Sequence, residues 1–162
     1  MSTNPPRGSQ AIAHSALERL QSHFQHQTPL VAKESAIDVA LRRATLCLKV
    51  SASEVAGDDP TVRAALDLII DRLSSHTLRA SDVYDCFPGS SFRRRFERAT
   101  GKSVRNYIED ARLLTAMGLL QELDVEIYLI ADSVGYEHYE TFCRAFKRVV
   151  GLAPSEFRES IQ

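Results

Sequence analysis

Apolar residues return along this chain at helical intervals, segment after segment. From Gln10 to about His26, Ile12, Ala16, Leu20 and Phe24 recur every four residues and predict a narrow-striped amphipathic helix. Pro29 interrupts, and from about Ser35 the residues Ile37, Leu41, Ala44 and Leu48 repeat the spacing in a second helix. Leu46, Leu48 and Val50 alternate as a short strand would, but the longer helical pattern outweighs them. The stretch SASEVAGDDP, ending at Pro60, carries turn residues and predicts a linker. Residues 1–8, with paired prolines and Gly8, predict a loose tail.

Beyond Thr61 every pattern is helical. Val62, Ala65, Leu66, Ile69, Ile70 and Leu73 form a wide apolar face. The weaker segment TLRASDVYDCF precedes Pro88 and Gly89. Phe92 and Phe96 then sit at i and i+4 in a helix closed by Gly101. Ser103 predicts the cap of a long helix whose inner face runs from Val104 through Tyr107, Ile108, Ala111, Ala116, Leu119 and Leu120 to Leu123. A short helix carries Ile127, Ile130 and Ala131 and stops at Gly135. The next carries Phe142, Phe146 and Val149 and stops at Gly151, and Pro154 and Phe157 begin the last. The expected fold class is all-α.

Composition narrows the class without choosing a function. A 162-residue chain with 44% hydrophobic and 25% charged residues is that of an ordinary globular protein. No apolar stretch approaches the roughly 20 residues of a membrane helix, and the start has no signal-peptide core, so the expected location is the cytoplasm. Cys47, Cys86 and Cys143 form neither a zinc pattern nor a disulfide framework and read as small, partly buried apolar residues. No P-loop, GxGxxG, GxSxG or HExxH stands in the chain, so no enzyme is expected and no cofactor. His14, Glu18, His23 and His26 read as solvated polar residues, because no fourth ligand is well placed. The net charge of −1 argues mildly against nucleic acid. That objection has a local answer, since Arg93, Arg94, Arg95, Arg98, Lys102 and Arg105 crowd one stretch opposed there only by Glu97.

The informative spacing lies between Ile127 and Arg158. Ile127, Ile130, Ala131, Val134, Gly135 and Tyr136 are followed by Phe142, Arg144, Phe146, Lys147 and Arg148, then by Gly151, Pro154, Phe157 and Arg158. This run resembles the C-terminal signature of the AraC/XylS family of transcription regulators. Upstream, Phe96, Gly101, Ser103, Tyr107, Arg112, Leu113, Ala116, Leu119 and Leu120 match the family's next run, so the resemblance covers roughly residues 61–159.

The resemblance implies two helix-turn-helix subdomains joined by a long linker helix, with a short helical N-terminal extension. Residues 59–162 would form the DNA-binding domain. Residues 1–58 would hold the tail and two amphipathic helices, too few for the family's sensory β-barrel. The implied base-contacting positions fall on Tyr139, Glu140, Cys143 and Arg144. Lys147 and Arg148 read as phosphate contacts or solvated charges. In the first motif Ser90, Arg93 and Arg94 would be presented, with a simple solvated basic face at RRR 93–95 as the lesser alternative. There Pro88 stands at the serine cap, Cys86 at the turn glycine and Asp82 near a small alanine. A linker helix from Ser103 to about Glu122 would be roughly 30 Å long, close to the repeat of major-groove openings.

The expected function is sequence-specific DNA-binding transcription regulation. Double-stranded DNA is the expected partner, and RNA polymerase is implied by the family's activators. A homodimer through residues 10–50 is left open. The alternative is a co-regulator of the same fold that binds protein and has lost DNA.

Overall fold

The computed structural model describes residues 36–161. The expected helix over 10–26, the tail and the N-terminal histidines lie outside them. Eight helices and no strand make up the described residues. Helix α1 is Ala36–Ala56, α2 Pro60–Asp71, α3 Ala80–Cys86 and α4 Ser90–Thr100. The long α5 is Val104–Glu122, followed by α6 Ile127–Ser133, α7 Tyr139–Val150 and α8 Pro154–Ile161.

Local chemistry sets these boundaries. Asp59 caps α2, its Oδ1 accepting from the backbone N–H of Thr61 at 3.0 Å and of Val62 at 3.1 Å, with Pro60 in the first turn. Ser103 caps α5 by accepting from the Asn106 N–H. Gly101 and Gly151 end α4 and α7 in the left-handed conformation.

Two expectations about α1 are corrected. The linker is only the turn of Gly57, Asp58 and Asp59, because α1 continues through Ser51–Ala56. Its buried residues are Ala40, Ala44, Ala52 and Ala56, with Leu41 and Leu48 half-buried beside them. The face is thus defined by small side chains, which let α1 lie close on α2 and α5. The strand alternative for 46–50 falls inside this helix.

The chain builds two cores on one rod. The first gathers Leu66, Ile69 and Ile70 of α2, Val83 of α3, Phe92 and Phe96 of α4, and Val104 and Ile108 of α5. The second gathers Leu113, Ala116, Leu119 and Leu120 of α5, Ile130 and Ala131 of α6, Phe142 and Phe146 of α7, and Phe157 of α8. Helix α1 contributes Ala52 and Ala56 to the first and Ala40 to the second, so it straps both halves together.

Arg112, midway along α5, joins the halves a second time. Its Nε donates to the Leu73 carbonyl at 3.2 Å and its Nη2 to the Ser75 carbonyl at 2.7 Å, both just past the end of α2. Its guanidinium lies 5.8 Å from the centre of the Tyr136 ring in the other half. Burial pushes the Arg112 pKa down from its ordinary value, with Tyr136 opposing the shift. Beside it His76 Nε2 meets the Asp132 carboxylate at 3.1 Å, again across the halves.

Gly135 makes that junction possible. Its φ is +88°, and a Cβ there would fall 2.6 Å from the Leu73 carbonyl oxygen and 2.9 Å from Arg112 Nη2. Gly118 is the opposite case: buried in α5, it leaves a Cβ with nothing within 4 Å. Gly135→Ala should therefore lower unfolding free energy in urea by about 2–4 kcal/mol, from left-handed strain and a backbone clash. Gly118→Ala should raise it by about 0.5–1 kcal/mol. Small losses of similar size at both positions would show that Gly135 is not a tight junction.

Candidate nucleic-acid interface

The second helix-turn-helix is built as the spacing predicts. Ile130, Ala131 and Val134 are buried, and the small Ala131 lets α6 approach closely. The turn runs over residues 134–138, with Gly135 supplying its positive φ. Phe142 and Phe146 are fully buried on the inner side of α7; Phe142 meets Tyr136 edge-on at 5.3 Å and Phe146 meets Phe157 at 5.6 Å.

The opposite side of α7 faces outward. Tyr139, Glu140, Arg144, Lys147 and Arg148 are all exposed, and Cys143 is half-buried. The neighbouring Cys143 thiol and partial burial push the Tyr139 phenol pKa up from its ordinary value. Arg144 forms no ion pair with Glu140 within 4 Å; its Nη2 reaches only Thr141 Oγ1, at 3.5 Å. Arg148 is engaged, its Nη2 lying 2.5 Å from Glu109 Oε1 on α5. Val149, the third large apolar residue of the helix, is exposed.

The first motif is assembled differently, and three expectations about it change. Asp82 is not in the helix–helix contact: its Oδ2 accepts from the Arg79 N–H at 3.0 Å and lies 3.9 Å from Arg72, tying down the start of α3. Its charge is therefore partnered at the surface. Cys86 ends α3, and the positive φ belongs to Gly89, at +112°. The turn spans residues 87–89, two fewer than in the second motif. Counted along the two seven-residue helices, Tyr84 stands where Ala131 stands in the other. The Tyr84 ring packs against Phe92 at 6.2 Å, and Arg93 Cζ lies 4.6 Å above it. Ser90, Arg93 and Arg94 are exposed on α4, as are Glu97 and Arg98.

Folding also changes the charge count. Arg95 lies 3.4 Å from Asp59, and Lys102 pairs with Asp110, so two cations of the basic stretch are met by acids outside it. Arg94, Arg98 and Arg105 have no ion-pair partner among the described residues. Periodicity carries no information on such pairings.

Among the described residues no group of three or more His, Cys, Asp and Glu is placed to hold a metal, and no helix is long and apolar enough to cross a membrane.

Known proteins share this arrangement. A helix-turn-helix domain family matches residues 86–160. The arabinose operon regulatory protein of Escherichia coli (strain K12) is 32% identical over 102 residues, covering 62% of this chain and 35% of that protein. The HTH-type transcriptional activator RhaR of Enterobacter sp. (strain 638) is 30% identical over 142 residues, covering 82% of this chain and 50% of that one. The chain thus spans half or less of the length of these curated relatives. Among solved structures, the C-terminal domain of AraT, a response regulator from Geobacillus stearothermophilus, superimposes with a TM-score of 0.59 at 28% identity, covering 63% of this chain and 86% of that domain.

Tyr107 of α5 and Tyr136 of the second turn offer a measurable signature of the packed state. Burial pushes the phenols of Tyr107 and Tyr136 up to about 12 from an ordinary 10.0. The folded protein holds those protons more tightly than the unfolded chain. The resulting stability is fully present below about pH 10 and is lost as pH rises through about 12. Ultraviolet titration should show two phenols ionising only with unfolding. Ionisation of every tyrosine near pH 10, with the fold intact, would contradict this packing.

Proposed function

We propose that this chain, whose residues 86–160 match a helix-turn-helix domain family and which is similar to the arabinose operon regulatory protein and RhaR, is a regulator of the AraC type that controls transcription by reading duplex DNA in two successive major grooves. One observation carries the reading: α7 buries Phe142 and Phe146 and turns Glu140, Arg144 and Lys147 to solvent. No helix among the described residues covers that polar face. This is the presentation a recognition helix needs.

Arg144 is the base reader of the second half-site, forming bidentate bonds to guanine, and Glu140 accepts from cytosine N4. Tyr139 and Cys143 flank them, and Lys147 and Arg148 meet phosphates. Ser90, Arg93 and Arg94 read the first half-site from α4. The protein performs no catalysis and works in the cytoplasm with its duplex. Contact with RNA polymerase, and so activation, completes the reading on the model of its relatives.

Anisotropy titration of labelled random duplex provides the test. Affinity should fall steeply between low and moderate salt, through counterion release. Absence of binding at low salt would leave only the protein-binding co-regulator. On a site recovered by genomic footprinting, Arg144→Ala should cost about 1–3 kcal/mol while barely changing random-duplex affinity. Equal losses on both would make Arg144 a phosphate contact.

Self-association through residues 10–50 belongs to the same proposal. Leu46 and Val50 are 60% and 58% exposed on the side of α1 away from its buried alanines. Sedimentation should show a dimer dissociated by Leu46→Glu combined with Val50→Glu. A wild-type monomer at every concentration that binds DNA would confine the reading to single chains.

A further inference from the structure

Between the two helix-turn-helix units lies an open cleft of about 440 Å³. Leu78 and Ile108 contribute apolar lining, and Arg112 and Tyr136 stand on the side of the second unit. The charged lining is uneven. Glu109 is its one acid, and Arg148 already engages it at 2.5 Å. Arg112 directs its donors at the Leu73 and Ser75 carbonyls. That leaves Arg79, ahead of α3, and Arg105, in the first turn of α5. Both are exposed, and neither has an ion-pair partner among the described residues. Two arginines without an acidic partner lining one cleft give it a positive lining that favours an anion.

The cleft's position identifies that anion. Arg148, which reaches in to Glu109, stands one helical turn beyond Arg144 on the outward face of α7, so the cleft opens beside that face. Its other wall begins α3, the helix that leads into α4. On the DNA-reading proposal, a duplex engaged by both α4 and α7 would span the region between them, where this opening lies. The planar, forked donors of arginine suit phosphate oxygens. Neither cleft arginine belongs to the recognition helices, so their contacts carry affinity without base readout.

We propose that this cleft is a backbone clamp in which Arg79 and Arg105 hold phosphates of the duplex between the two half-sites. The proposal rests on the DNA-reading function above. A free phosphate anion offers the same chemistry, and the measurements below separate the two sources.

A site recovered by selection from random duplex would be made in two forms, one with neutral methylphosphonate linkages at its central phosphates. Wild-type affinity should fall roughly tenfold on the neutral-centre duplex. The Arg79→Gln, Arg105→Gln protein should lose a similar factor on the natural duplex and almost nothing further on the neutral-centre one. Its slope of log affinity against log salt should be shallower by about 2. Thermal midpoints of the two proteins should agree, because both side chains are exposed.

Losses that multiply, or a wild-type protein indifferent to the neutral centre, would overturn the clamp. So would inorganic phosphate raising only the wild-type midpoint while the neutral centre has no effect, which assigns the cleft to a free anion. A protein that binds no duplex sinks the regulator reading and the clamp with it. Tight binding that ignores the centre sinks the clamp alone.

Discussion

The relative placement of the two halves depends on a junction at the middle of α5, where Arg112 and the bare Gly135 add a directional contact to the rod of α5 and the strap of α1. A protein that reads two grooves with two helices must hold those helices in fixed phase. The two cores share α1 and α5, and the contacts at the middle of α5 add direction to that shared packing. Arg112 ties α5 to the carbonyls that end α2, and Gly135 lets the second turn sit against the same carbonyl at Leu73. A charged donor given to partly buried carbonyls is costly to remove: the Leu73 carbonyl would lose its donor, while that of Ser75 would keep only the Leu78 N–H. The junction is therefore both directional and selective. The strap of α1 acts in the same sense but through contact area, with alanines that pack closely and specify little.

Legibility in the sequence followed how firmly each residue's role is tied to a fixed gap. Ala131, Gly135, Phe142 and Phe146 each do one thing at one spacing, so the second motif was readable residue by residue. The apolar faces of α2 and α5 were readable for the same reason, as repeated large side chains leave little choice of face. The face of α1 is legible from Ile37, Leu41, Ala44 and Leu48, but its most buried positions are alanines, which hydrophobic periodicity weighs lightly. Its length was misread because Gly57, Asp58 and Asp59 alone make the turn, while the serines before them continue the helix.

The first motif was misread for a different reason. Its turn is two residues shorter, so any register carried over without a gap puts Asp82 into a contact it does not make. The signal was present in the acid itself. An aspartate three residues after Arg79 is well placed to accept from a free N–H at a helix start, and burying it between helices would be costly. Charge pairing was beyond reach altogether. That Asp59 would meet Arg95, and Glu109 meet Arg148, depends on how α2 and α7 come to lie against the rest.

These differences make the two readers physically unlike. In the second, a small alanine and a five-residue turn set α6 close to α7. In the first, a tyrosine ring fills the comparable position, the turn is shortened, and Arg93 lies over that ring. A ring between helices changes the angle at which the second presents its outer face, and a stacked arginine loses freedom before DNA arrives. The outward residues differ too: Ser90, Arg93 and Arg94 on one side, Glu140, Cys143 and Arg144 on the other. On the proposed reading, one chain would therefore recognise two dissimilar half-sites in a fixed order. A site of that kind has a direction, and a single copy would suffice to orient the protein on the duplex.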